Sequence, residues 1–229
     1  VNFEAVLENL PIYLDGLGET LRLAVLAVVI GGLAAVPLAM LRAARSRWLH
    51  GPVWLFTFVL RGTPLLVQLF IVYYGLAQFD VVRDSAAWSL LQNARFCAVL
   101  AFALNTCAYT TEIFAGAILA TSAGEVEAAR ALGMQPFTLW RRIVWPQALR
   151  RSLPAYSNEV IMMLHATSLA SVVTLQDLTG AARDVYARSY LPIEAFLTAA
   201  AFYLVLTFAL VAVFRAAERR WTAYLLPRR

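Results

Sequence analysis

The sequence predicts an all-α membrane protein with five transmembrane helices. Three observations carry that expectation. Hydrophobic residues make up 61% of the chain and charged residues 14%, with a mean hydropathy of +0.68, outside the range of soluble globular domains. Apolar runs approaching the roughly 20 residues a spanning helix needs recur along the chain. The arginines are sorted, segment by segment, between the two sides such spans would create. At 229 residues there is room for a single membrane domain, residues 1–229.

Taken in order, the spans fall at about 21–41, 64–79, 96–119, 153–175 and 195–214. The second is interrupted upstream by Arg61-Gly62-Thr63-Pro64, which reads as a helix start with Thr63 as N-cap and Pro64 as first helical residue. Residues 48–60 then either lie at the interface, where Trp48 and Trp54 are at home, or belong to one long kinked span. Between spans three and four, residues 121–150 read as a loop of two short helices. Ser122 and Glu125 form a capping-box pattern, Gly133 suits a C′ position with positive φ, and Pro136 suits a first helical turn. Residues 176–192 carry Asp177, Arg183, Asp184 and Arg188 at helical spacings, giving a short amphipathic helix on the outer face or a solvated loop.

All 19 basic residues are Arg. Arg42, Arg45 and Arg47 follow span one, Arg130, Arg141, Arg142, Arg150 and Arg151 follow span three, and Arg215, Arg219, Arg220, Arg228 and Arg229 follow span five. The opposite side holds Arg83, Arg95, Arg183 and Arg188, with Arg22 at a span edge. By the positive-inside rule the first group is cytoplasmic, so the N-terminus is outside, the C-terminus inside, and the 121–150 loop faces the cytoplasm. A Walker A phosphate loop requires Lys, which this sequence lacks. If ATP drives the protein, the ATPase is another chain. No internal repeat of the kind common in self-contained carriers is visible, which points to a partner subunit for symmetry.

Polar residues inside spans mark function or inter-helix ties. Asn105, Tyr109, Glu112 and Gly116 share one face of span three, a lining for a cationic or zwitterionic solute or a hydrogen-bonding seam. Asn158 and Glu159 offer a second such position, on a translocation path or paired with a loop Arg. His165 reads as a packing residue, and Cys97 and Cys107, ten residues apart on one helix, are too far apart for a disulfide. No metal-ligand spacing and no nucleophilic constellation is evident, so the chain reads as neither a metalloprotein nor an enzyme.

The loop holds the most specific pattern: Glu127-Ala128-Ala129-Arg130, then Gly133, then Ile143, then Trp145-Pro146. A linker lying on the lipid surface needs no such order. The pattern resembles the loop motif of permease subunits of bacterial ABC importers, with Trp145 where Leu is usual. Arg61–Gln68, Asn105–Gly116 and Pro154–Val160 resemble the polar amino-acid branch, most like M-type permease subunits of histidine / lysine-arginine-ornithine importers. That resemblance runs from about Gly16 to Arg220. It implies a multi-pass permease of the bacterial inner membrane, with its N-terminus periplasmic, moving amino acids by alternating access. It implies an ATP-binding cassette dimer that holds the ATP and Mg, with no cofactor in this chain. It also implies a second permease subunit or second copy, and a periplasmic solute-binding protein. In this reading Glu127 anchors a coupling helix, Ala128 and Ala129 fit the ATPase groove, Arg130 orients it and Gly133 makes the bend. Some arginine-type relatives carry an acid near the position of Ala166, which leaves open whether substrate dwells here or only passes. An ion-coupled carrier or channel, using Glu112 and Glu159 without an ATPase, is the alternative.

Overall fold

The computed structural model describes residues 8–221, so Arg228 and Arg229 lie outside the described residues. Its helices are α1 (Leu10–Arg42), α2 (Arg47–Gly62), α3 (Leu65–Phe70), α4 (Asp80–Arg83), α5 (Trp88–Leu91), α6 (Ala94–Leu119), α7 (Ala123–Ala131), α8 (Pro136–Leu139), α9 (Trp145–Ala166), α10 (Leu178–Ser189) and α11 (Pro192–Trp221). A π-turn over Ile71–Gly75 extends α3, another over Trp140–Val144 joins α8 to α9, and a 3₁₀ run over Thr167–Val173 extends α9. Among the described residues there is no strand.

Three helices are by themselves long and apolar enough to cross a membrane: α1, α6 and α11. Two further pairs qualify only as broken units. The α2 and Leu65–Gln78 helices meet at 102°, and the Pro136–Val173 and α10 helices at 49°. Counting each broken pair as one span gives five. The second unit therefore is not a straight traverse over 64–79. The break has a local cause: a residue before proline is pushed out of the helical region, and Thr63 and Pro64 are both extended, with ψ of 143° and 134°. Pro64 is the cap and Leu65 the first helical residue, one later than expected, and the Thr63 hydroxyl donates back to the Val59 carbonyl (2.9 Å) instead of capping forward.

The centre of the molecule is the α1–α6 pair. Ala27, Gly31, Ala35 and Ala39, one per turn of α1, are all buried. Such a small-residue stripe lets backbones approach where no hydrophobic effect drives helices together. A Cβ on Gly31 would lie 2.6 Å from the Ala103 carbonyl oxygen of α6. Ion pairs close both ends. Arg95 Nε donates to Glu19 (2.5 Å) at the start of the pair and Arg42 Nε to Glu112 (2.8 Å) at its end. The two helices consequently run in the same direction, as spans one and three should.

The α10 helix is the short amphipathic helix of the first sequence expectation and not a solvated loop, but it is packed into the molecule. Leu178, Ala181, Ala182 and Val185 are buried against Tyr13 of α1 and Ala195 and Ala199 of α11, so its inner face is core. Asp177 caps it, accepting from the Thr179 and Gly180 amides (3.1 Å each), and the Leu178 amide donates to Thr20 Oγ1 (3.0 Å). Arg183 and Arg188 remain on its exposed side. By contrast, α11 buries only Ala195 and Ala199, and Leu204, Val205 and Phe208 point outward, as a lipid-facing helix requires.

Candidate functional site

The break between α2 and α3 opens the principal cavity. It occupies about 740 Å³, and its polar wall is Arg61, Asn105, Tyr109, Asn158 and Glu159, drawn from α2, α6 and α9. Leu65, Met162 and Met163 supply apolar wall. Gln68 holds the break open. Its amide nitrogen donates to the Leu60 carbonyl (2.6 Å) and to Thr63 Oγ1 (2.8 Å), satisfying groups that the broken helix leaves without partners. Its carbonyl accepts from Asn105 Nδ2 (3.2 Å), fixing the break to α6. Sequence reading missed Gln68. The signal was a buried amide four residues after a proline, inside an otherwise apolar run.

Arg61 stacks over the Tyr109 ring, 5.1 Å from its centroid, a cation–π contact that keeps the guanidinium on the cavity wall. The Tyr109 hydroxyl donates to the Arg61 carbonyl (3.5 Å). Glu159 is 8% exposed and no hydrogen bond or ion pair within the described residues engages its carboxylate. Expected as a possible partner for a loop arginine, it instead faces the cavity that Arg61 shares. The cavity therefore carries a carboxylate and a guanidinium, the complement of a zwitterion with its ammonium and carboxylate.

Glu112 does not join them. It accepts from Arg42 Nε (2.8 Å) and from Thr57 Oγ1 (2.6 Å), tying α6 to α1 and α2. Of the face predicted on span three, Asn105 and Tyr109 reach the cavity, Glu112 is a strut and Gly116 is exposed. Cys97 and Cys107 are both free and buried. His165 is exposed and hydrogen-bonds Thr207 of α11 (2.9 Å).

The second site is the loop from α7 to α9. Gly133 has φ +75°, its amide donates to the Arg130 carbonyl (2.9 Å), and the Met134 amide donates to the Ala129 carbonyl (3.1 Å). That is the Schellman pattern, in which only glycine takes the left-handed position without strain. The capping box does not form: Ser122 is the N-cap residue but makes no side-chain cap bond, and Glu125 accepts from the Gln147 side chain instead. Ala129, expected on the docking face, is buried against Leu139 and Val144 of its own chain. Glu127, Ala128 and Arg130 are exposed. So are Leu132 and Phe137, at 80% and 70%, two large apolar side chains flanking the glycine turn that sequence reading passed over. Arg151 of α9 donates to the Ala120 carbonyl, tying α9 to the end of α6.

Residues 27–223, which include both sites, match the family model of the binding-protein-dependent transport system inner membrane component. The chain belongs to this family. Among relatives in that inner-membrane-component family, it is 48% identical to the histidine/lysine/arginine/ornithine transport system permease protein HisM of Escherichia coli strain K12, over 93% of this chain and 90% of the relative. The Salmonella typhimurium HisM is 50% identical over 90% and 88% of the two chains. The octopine transport system permease protein OccM of Rhizobium radiobacter is 48% identical over 90% and 84%. In structure, the chain resembles an amino acid ABC transporter solved with histidines, with TM-score 0.85 and 34% identity over 96% of this chain and 99% of that one. The MetNI methionine ABC transporter shares the fold, with TM-score 0.74 at 16% identity.

Proposed function

We propose that the chain is a translocation subunit of an ATP-driven importer for amino acids, with histidine, lysine, arginine and ornithine as its substrate class. It crosses the inner membrane in five spans, with the N-terminus periplasmic and the 121–150 loop cytoplasmic. The observation that carries this reading is Glu159: a buried carboxylate that no hydrogen bond or close ion pair engages among the described residues, on the wall of a cavity that also presents Arg61. Burying an ionisable group without a partner is costly, and such groups in spans mark solute paths. The α-ammonium or cationic side chain of a basic amino acid would supply the missing charge. Asn105, Tyr109 and Asn158 would orient the rest of the solute.

Hydrolysis belongs to a partner ATP-binding cassette dimer, which holds the ATP and Mg. A second permease, or a second copy, completes the path, and a periplasmic binding protein delivers the solute. The coupling element is α7, with Glu127, Ala128 and Arg130 on its outward face and Leu132 and Phe137 as apolar knobs. Because Gln147 of α9 holds Glu125 of α7, and Arg151 of α9 holds the end of α6, a push on α7 is transmitted to α9 and through it to α6.

Co-purification from the native membrane tests the assembly: a P-loop ATPase and a second permease are expected, and this chain alone would contradict it. Gly133→Phe tests the coupling. A bulky residue at φ +75° is strained whatever space surrounds it. The variant should reach the membrane, yet show arginine uptake at least tenfold below wild type. Normal uptake would sink the coupling role.

A further inference from the structure

We infer that Gln68 is a positioning residue for solute binding: it turns the Asn105 side chain so that its carbonyl oxygen faces the cavity as an acceptor for the solute's α-ammonium. This role rests on the reading of the cavity as the solute site, and it adds which wall takes which end of the solute.

The orientation starts at Pro64. In an unbroken helix the Leu60 carbonyl would accept from the amide of residue 64, and proline has none. Side chains therefore satisfy the last turn of α2. Thr63 Oγ1 donates to the Val59 carbonyl (2.9 Å), Gln68 Nε2 to the Leu60 carbonyl (2.6 Å) and the Tyr109 hydroxyl to the Arg61 carbonyl (3.5 Å). The Thr63 carbonyl (3.1 Å) and Thr63 Oγ1 (2.8 Å) also stand around the Gln68 nitrogen. With two backbone carbonyls and a hydroxyl at that end of the side chain, only its NH2 fits there. The Gln68 carbonyl is thereby turned the other way, where it accepts from Asn105 Nδ2 (3.2 Å).

The same constraint passes to Asn105. Its nitrogen is held by Gln68, and its Oδ1 has no hydrogen-bond donor among the described residues. Asn105 is 6% exposed and lines the cavity together with Glu159, the one acid on that wall. An ammonium has three donors and no acceptor, so Glu159 and Asn105 Oδ1 can share it. Arg61, with donors only, takes the solute carboxylate. Were the Gln68 amide reversed, Asn105 would present its NH2 to the cavity, and it would join Arg61 in favouring an anion. The break that opens the cavity thus also sets its polarity.

The test is equilibrium binding to the purified permease–ATPase complex with no binding protein present. Histidine is compared with imidazolepropionate, the same molecule without its α-ammonium. At about pH 7.5 the imidazole is largely neutral, so the α-ammonium is the cation being read. Wild type should bind histidine at least tenfold more tightly than imidazolepropionate. In Gln68→Leu that ratio should fall at least fivefold, because nothing then fixes the Asn105 amide. Adding Asn105→Asp, which has an oxygen on either side, should restore it. Asn105→Asp alone leaves the bonds across the break in place and should keep the preference for histidine. An unchanged ratio in Gln68→Leu, with both ligands weakened equally or not at all, would mean that Gln68 only props the break, and would overturn the assignment. So would loss of the preference in Asn105→Asp, because an Asn105 that donates to the solute carboxylate would then be replaced by a repelling charge. A wild type that binds neither ligand would remove the solute site itself and this role with it. A wild type that prefers histidine upholds the site whatever the variants do.

Discussion

Glu112 and Glu159 are the same residue type, each set in an apolar helix, and the sequence offers little to separate them. Their surroundings differ completely. Glu112 meets a guanidinium and a hydroxyl from two other helices, with its side chain about 20% exposed. Glu159 is more deeply buried and meets no hydrogen-bond donor among the described residues. A paired carboxylate in a membrane bundle is a strut that fixes helix positions. One on a cavity wall that no donor holds is open to a ligand. Membership of the span therefore says less about a carboxylate's role than the identity of its nearest donor.

The strongest way to break this contrast is to remove the strut. Glu112→Ala leaves Arg42 half-buried and uncompensated, and should lower the stability of the bundle by about 2 kcal/mol, read as a drop in Tm of the purified protein. If the thermal midpoint does not move, Glu112 is not a strut. A double-mutant cycle sharpens the point: Arg42→Ala/Glu112→Ala should be less damaging than the sum of the singles by about 1 kcal/mol. Strict additivity would mean that the pair contributes nothing. The smallest effect is Thr57→Val, which deletes the hydroxyl donor and should cost about 1 kcal/mol or less in the same melt, with substrate uptake unaltered. A large loss of uptake from Thr57→Val would place the Glu112 cluster on the transport path after all.

Much of the fold was legible because its signals are local. The α1, α6 and α11 helices announce themselves by length and hydropathy, the α2–α3 break by Thr63-Pro64, and the turn after α7 by Gly133. What was illegible depends on contacts between distant residues. Arg42 reaches Glu112 across 70 positions, and nothing near either residue foretells it. The capping box at Ser122 fails because Gln147, 22 residues beyond Glu125, takes the glutamate side chain. Ala129 turns inward because Leu139 and Val144 fold back over it, so a motif that fixes residue types does not fix which of them face a partner. The α10 helix looked amphipathic and external because its charges were visible, whereas the core it meets on α1 and α11 was not. Of the proposed path residues, Asn105, Tyr109, Asn158 and Glu159 gather at one cavity although they come from two helices, and Gln68 completes the arrangement from a third.

The contrast between the glutamates turns on whether Glu159 meets the solute, and one measurement addresses that directly. The complete transporter, with wild type or Glu159→Gln in this chain, is reconstituted into proteoliposomes, and ATP-dependent uptake of radiolabelled arginine is followed below saturation. Glu159→Gln keeps the shape of the side chain and removes its charge. Uptake should fall at least tenfold, equivalent to about 1.4 kcal/mol, while Tm is unchanged or higher because an unpaired buried carboxylate has been removed. Uptake at the wild-type rate from a correctly assembled variant would contradict the assignment of this cavity as the solute site.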